Sequence, residues 1–178
     1  MHTRSLLLYF VNKITSLFPP SRFYKLKAYL YIIAGIQLDS SCRIVSSANI
    51  WGVKNVHVGR DTFIGYEVLI AGGDSTVTIG SGVDIAPRVT IITGTHDIDM
   101  QGDRSAGTGY SRDIVVEDGV WIGAGVTVIG GVTIGRKSII GAGSVVTKSV
   151  PPLVIAVGNP CLPIKQWDSL TGWKKIVS

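Results

Sequence analysis

Residues 121–135 read WIGAGVTVIGGVTIG, with the Val, Ile and Thr of a β-strand but five glycines among them. Glycine weakens a strand interior, so one continuous strand does not account for the composition. Ile122, Val128 and Ile134 stand six residues apart, with Gly123 and Gly135 directly after the first and last. Counting outward in sixes extends the series to Val116, Ile140 and Val146, with Gly141 again following its aliphatic. Four positions after each aliphatic come Val120, Val126, Val132, Ser138, Ser144 and Val150, all small or β-branched. Two side chains in every six therefore suit an interior.

The same register appears upstream as Val58-Gly59, Ile64-Gly65 and Ile70-Ala71, then as Ile79-Gly80, Ile85-Ala86 and Ile91, with a weaker copy at Leu38, Ile44 and Ile50. Such self-similarity predicts a repeat architecture. A short strand points its aliphatic inward, the small residue beside it lets the chain bend, and three such units close a triangular turn. Stacked turns cover one another's strand edges. A sandwich of alternating strands, the competing explanation, does not produce so many six-spaced positions. The pattern resembles the left-handed parallel β-helix family, and its hand, opposite to the usual crossover rule, is implied by that resemblance. The expected fold is thus all-β: a left-handed parallel β-helix, or hexapeptide-repeat solenoid, over residues 38–152. A helical N-terminal extension, 1–37, and a C-terminal cap, 153–178, flank it.

Composition narrows the setting. A chain of 178 residues suffices for one substantial core. Two cysteines, Cys42 and Cys161, are too few for a disulfide scaffold and point to a reducing, cytoplasmic setting. The apolar run of residues 6–11 ends at Asn12 and Lys13 without a small-residue cleavage site, so no export signal is expected. The eleven uncharged residues 28–38 fall well short of the roughly 20 that span a bilayer. A net charge of +5 suits an anionic lipid, a nucleic acid or a polyphosphorylated ligand and does not choose among them. Within 1–37, two helical pieces break at Pro19-Pro20 and carry Lys13, Arg22, Lys25 and Lys27 among aliphatics. Capping or an oligomer contact is the plainer role; docking on an anionic membrane surface, peripheral to the inner membrane, is the sharper one.

Breaks in the register mark candidate sites. Between Ile70 and Ile79 the spacing is nine, so three residues bulge out around Gly72, Gly73 and Asp74. Between Ile91 and Val116 it is twenty-five, nineteen more than the repeat needs. The excess is the polar loop 97–113, DIDMQGDRSAGTGYSRD, with His96 at its root. His57 lies on an edge of the prism, and His2 is near the terminus.

From about residue 56 to 165 the chain resembles the hexapeptide-repeat acyltransferases, in the branch that includes galactoside, maltose and colanic-acid acetyltransferases. The ordered features are VTIITGTH (89–96), the excursion loop, VWIG (120–123), the Ile-Gly repeats, GAGSVVTK (141–148), Pro151-Pro152 and AVGNP (156–160). The resemblance implies acetyl-coenzyme A as co-substrate, no metal, a homotrimer and His96 as the catalytic base. An acceptor hydroxyl must lose its proton as it attacks the thioester, a task suited to imidazole. Asp97 or Asp99 would orient the ring. By the same resemblance Trp121 and Ala142 flank the pantetheine arm, Thr147 and Lys148 lie near the nucleotide, and Lys165 stands where the family has an Arg for the 3′-phosphate. Lysine there offers a point charge without the planar fork.

One departure bears on the acceptor. Where galactoside-type members carry an Asn-rich strand this chain has Gly65, Tyr66 and Glu67, while Asp74 matches the family's corner Asp. With Asp97, Glu67 and Asp74 are the candidate acceptor contacts. The N-terminal extension and TGTHDID (93–99) look more like members that acetylate a surface polysaccharide unit, such as O-antigen, capsule or exopolysaccharide, or its precursor. Transfer to serine or to a streptogramin-type antibiotic is the alternative within the class. A γ-class carbonic anhydrase would need three histidine ligands, and only His57 and His96 fall in the repeat. A non-catalytic β-helix would not need a long loop beside His96, and nucleic acid is not an expected partner.

Overall fold

The structure is a computed structural model that describes residues 2–52 and 55–176, with backbone alone for residues 2–4. Met1, Val53, Lys54, Val177 and Ser178 lie outside the described residues, as does the side chain of His2. The first residue of the expected extension and the last two of the expected cap therefore fall outside them.

Three parallel sheets form the body, and the chain visits them in rotation. The first holds Gln37–Leu38, Asn55–Val58, Thr76–Ile79, Ile114–Val116 and Thr133–Ile134. The second holds Arg43–Ile44, Phe63–Ile64, Asp84–Ile85, Trp121–Ile122, Ile139–Ile140 and Val154–Val157. The third holds Asn49–Trp51, Leu69–Ala71, Thr90–Ile92, Thr127–Ile129 and Val145–Val146. Each strand pairs with the one a full turn away, so the six-spaced aliphatics form vertical stacks. Ile50, Ile70, Ile91, Val128 and Val146 pair in succession in the third sheet. Ile79 pairs with Val116 in the first, across the long excursion, so the insertion leaves the register intact. These residues are buried, as are Val120, Val126, Val132, Ser138, Ser144 and Val150 four positions on.

The five glycines of residues 121–135 now have a location, because strands end at Ile122, Ile129 and Ile134 and glycine occupies the corners. Their function differs from the expected bending. Gly123 donates its N–H to Ile140 O on the next turn at 2.8 Å. A Cβ there would lie 2.6 Å from Ala142 N and 2.7 Å from Ile140 O, so the next turn's backbone excludes it. The conformational requirement falls two residues later, at Gly125, whose φ is +68° and whose missing Cβ would meet open space.

The open end of the first turn is closed by helices α1 (His2–Ser16) and α2 (Tyr24–Ile33). Leu8, Val11, Tyr31 and Ala34 join the core against Ile44 and Ile50. Polar groups meet the unpaired backbone: Asn12 Nδ2 donates to Ile50 O at 3.0 Å, and Tyr31 Oη donates to Asn12 Oδ1 at 2.8 Å. Lys27, 0% exposed, donates through Nζ to Pro20 O at 2.8 Å and to Ser46 Oγ at 3.1 Å. Burial lowers the Lys27 pKa and raises that of Tyr31 to about 12. At the other end the parallel stack continues through Val154–Val157. Leu162–Asp168 and Gly172–Lys175 then add antiparallel strands to the second sheet, so the expected cap is a sheet extension.

Gly123→Ala should cost about 1–3 kcal/mol through overpacking against backbone. Gly125→Ala should cost about 1–2 kcal/mol through the left-handed φ alone. Guanidinium unfolding midpoints check both, and a neutral Gly123→Ala would contradict the close-stacking account.

Candidate active site

The long excursion is a β-hairpin. Gly94–Ile98 pairs antiparallel with Ala106–Ser111, and His96 lies opposite Gly109, so the histidine belongs to a strand of the excursion and not to the root of an irregular loop. Both legs are fastened to the prism. Arg112 N donates to the carbonyl of buried Thr93 at 3.0 Å, Gly73 N donates to Thr93 Oγ1 at 3.3 Å, and Thr76 N donates to Asp113 Oδ1 at 2.7 Å.

The imidazole Nδ1 of His96 lies 2.9 Å from Gly107 O. A carbonyl oxygen only accepts, so Nδ1 carries the proton and the neutral ring presents a free lone pair at Nε2. The facing strand makes room for this. A Cβ on Gly109 would lie 3.4 Å from His96 Cε1, and one on Gly107 would lie 3.2 Å from Asp97 O. Neither glycine was singled out by sequence; the available signal was the small-residue run AGTG (106–109) inside a loop that begins beside a histidine. A backbone carbonyl holds the ring where a carboxylate was expected. Asp99 Oδ1 instead accepts the backbone N–H groups of Gly102 and Gln101, each at 2.9 Å, at the hairpin tip. Those bonds, Gly102's foremost, lower the Asp99 pKa.

The remaining candidates divide among three places on one chain. Asp74 is exposed at the corner between the third and first sheets, beside the hairpin base where Gly73 meets Ser111. Thr147 and Lys148 are exposed at that same corner two turns along, roughly 10 Å down the stack from His96's turn. Asp97 is exposed on the hairpin itself.

Glu67 and Ala142 lie at a different corner, between the second and third sheets. A shallow groove of about 540 Å³ runs there between Tyr66, Glu67, Pro87, Arg88, Ala124 and Gly125. Glu67 Oε2 accepts from Arg88 Nε at 2.9 Å, an exposed pair of small energetic weight. Trp121 and Lys165 occupy a third location, one register row of the second sheet. Trp121 pairs with Ile139, Ile139 with Ile155, and Ile155 with Lys165. Trp121 is 55% exposed on its outer face. Lys165 is exposed as well. Among the described residues no group of three or more His, Cys, Asp and Glu side chains converges on a common point.

Comparison with known proteins gives the family. Residues 113–148 match the family model for the bacterial transferase hexapeptide (six repeats). A galactoside O-acetyltransferase of Escherichia coli K12 is 45% identical over 113 residues, 64% of this chain and 55% of that protein. The solved maltose O-acetyltransferase of Clostridium difficile 630 superposes with a TM-score of 0.78 at 32% identity, covering 94% of this chain and 88% of that one. A polySia-specific acetyltransferase superposes with a TM-score of 0.62 at 30% identity, over 74% of this chain and 61% of that one. The chain belongs to the hexapeptide-repeat acyltransferase family. It spans about half the length of the curated relatives it matches.

The tautomer can be tested without turnover. With ¹⁵N-labelled histidine, the neutral His96 ring should show a protonated Nδ1 and an unprotonated Nε2. A protonated Nε2 would contradict the Gly107 contact.

Proposed function

We propose that this chain is an acetyl-coenzyme A-dependent O-acetyltransferase acting on a sugar hydroxyl. The observation that carries the proposal is the His96 ring, exposed on a fastened hairpin with its Nδ1–H committed to Gly107 O. The family's acetyl transfer supplies the reaction. Nε2 takes the acceptor's hydroxyl proton as the oxygen attacks the thioester carbonyl. The thiolate then leaves and recovers that proton from the imidazolium. Gly107 O holds the ring in the productive tautomer and stabilises the transient cation, the role a carboxylate plays in a triad.

In this reading the prism is the left-handed β-helix of the family, and the enzyme is a homotrimer. The candidates on one chain face three directions, and a site that combines His96 with Trp121, Ala142 and Lys165 needs the neighbouring copy. Trp121 would flank the pantetheine arm along the second sheet, with Lys165 farther along the same row near the 3′-phosphate. Thr147 and Lys148 would meet the nucleotide from the same corner, two turns down the stack from His96's turn. Asp74, Asp97 and Glu67 are the acceptor contacts.

The E. coli and C. difficile relatives are named for galactoside and maltose, and these names support a sugar acceptor. The substitution of Gly65-Tyr66-Glu67 for an Asn-rich strand, together with the polySia-specific relative, favours a surface polysaccharide unit or its precursor.

His96→Ala should lose roughly 10²–10⁴ in kcat while acetyl-coenzyme A binding and folding persist, and the acid limb of the kcat/KM pH profile should disappear from the residual activity. A loss under about threefold, far below what general-base catalysis supplies, would remove His96 from the mechanism.

Lys148→Ala and Lys165→Ala should each raise the KM for acetyl-coenzyme A more than they lower kcat, and added salt should weaken wild-type donor binding. An unchanged donor KM in both would make them ordinary surface charges. A fully active monomer in light scattering would overturn the shared-site arrangement.

A further inference from the structure

Helices α1 and α2 bury polar groups beside their core residues and leave a large share of their apolar side chains exposed. A surface helix buries its apolar stripe and shows charge to water. Here α2 buries Lys27 completely while Leu26, Tyr29 and Ile33, which share one face at spacings of three and four, are 44%, 59% and 53% exposed. Helix α1 buries Asn12 and Thr15 beside Leu8 and Val11, while its Leu6 and Phe10, and Leu17 just past its end, are 57%, 50% and 84% exposed. Hydrogen bonds explain the inward Asn12 and Lys27, because these side chains meet Ile50 O and Ser46 Oγ at the open end of the prism. Nothing in the packing of one chain explains the outward apolar ones.

Charge identifies the occupant. No Asp or Glu precedes Asp39, whereas Arg4, Lys13, Arg22, Lys25 and Lys27 all do. The chain's 17 basic and 12 acidic residues thus balance at twelve each beyond this segment, and the whole net charge of +5 resides in it. Lys13, Arg22 and Lys25 are exposed among the apolar side chains. Tyr9, its ring 6.0 Å from that of Trp51, and Tyr29 add amphipathic rings of the kind that settle at a headgroup boundary. A second copy of the same surface would set these cations against one another, and an acidless apolar face complements an anionic bilayer. Neither helix crosses a membrane: none among the described residues is long and apolar enough.

We propose that α1, α2 and the turn between them form a monotopic docking surface that lies in the headgroup region of a bilayer containing anionic lipid, with Leu6, Phe10, Leu17, Leu26, Tyr29 and Ile33 inserted and Lys13, Arg22 and Lys25 on lipid phosphates. This goes beyond acetyl transfer and stands without it.

Vesicle co-sedimentation of the full chain tests the surface. The protein should sediment with phosphatidylcholine vesicles containing phosphatidylglycerol, far less with phosphatidylcholine alone, and less as salt is raised. Arg22→Gln with Lys25→Gln should lower partitioning about 30-fold by removing two interfacial charges. Leu26→Ser, Tyr29→Ser and Ile33→Ser together should abolish it. Thermal unfolding of each variant confirms that the cap still folds, since the substituted side chains point outward. His96→Ala should sediment like wild type, which separates this proposal from the acetyl-transfer reading. Wild-type protein that stays in the supernatant with anionic vesicles overturns the proposal, as does undiminished binding by a folded triple variant. Loss of the oligomer in the triple variant, without vesicle binding by wild type, would assign the face to subunit contact instead.

Discussion

The distance between successive turns governs the molecule. Parallel strands must lie about 4.8 Å apart to hydrogen-bond, and here that spacing continues through the corners as well as the faces. The residue after each inward aliphatic donates to the turn beyond: Gly59 to Ile79, Gly80 to Val116, Gly123 to Ile140 and Gly141 to Ala156, all at 2.8 Å. A side chain at Gly123 has no space because the next turn's backbone fills it. The hexapeptide pattern therefore encodes two separate demands: a branched residue to fill the prism, and an absent side chain where turns touch. Extra sequence has only one way to go, outward from a corner.

That constraint explains why the candidate site sits on an excursion. A prism interior filled by stacked Ile and Val leaves no volume for an acceptor, and its flat faces repeat every turn. The hairpin breaks the repeat without breaking the stack, since Ile79 and Val116 remain register partners across it. Thr93 serves both functions at the junction. Its backbone continues the ladder through Ala71 O at 3.0 Å, and its side chain receives Gly73 N from the preceding corner. A ring hydrogen-bonded to a backbone carbonyl on such a base is oriented by the hairpin, the kind of positioning that the proposed general base would need.

The prism was legible in the sequence because its determinants are local and repeated. Each of Val116, Ile122, Val128, Ile134, Ile140 and Val146 could be assigned inward from spacing alone, and each is buried. The partner of His96 was not legible. Gly107 is eleven residues away, and the contact depends on a hairpin register that the polar loop does not advertise by alternation. The short carboxylates nearby drew attention because charge is visible in a sequence, whereas a backbone carbonyl is present at every residue. The separation of Trp121 and Lys165 from Thr147 and Lys148 was likewise hidden. It depends on which face of the triangle each position reaches, and the C-terminal hairpin folds back antiparallel to put Lys165 in Trp121's row.

The two ends of the stack solve one problem in different ways. A terminal turn exposes unpaired backbone and an open apolar section, as at any solenoid end. The C-terminal end adds antiparallel strands to the second sheet, whose ladder supplies partners for Val154–Val157 and which carry the exposed Lys165, Lys174 and Lys175. The N-terminal end uses helices, and helices have no spare backbone donors along their length. Side chains must do the pairing, so Asn12 and Tyr31 turn inward to backbone carbonyls and Lys27 to the Ser46 hydroxyl. With those polar positions committed to the cap, the outward face is free to be selected by something other than the fold. An apolar outward face costs solubility unless it is covered, so its persistence over both helices, together with the chain's entire excess of positive charge, is better explained by a surface it meets than by the end it closes.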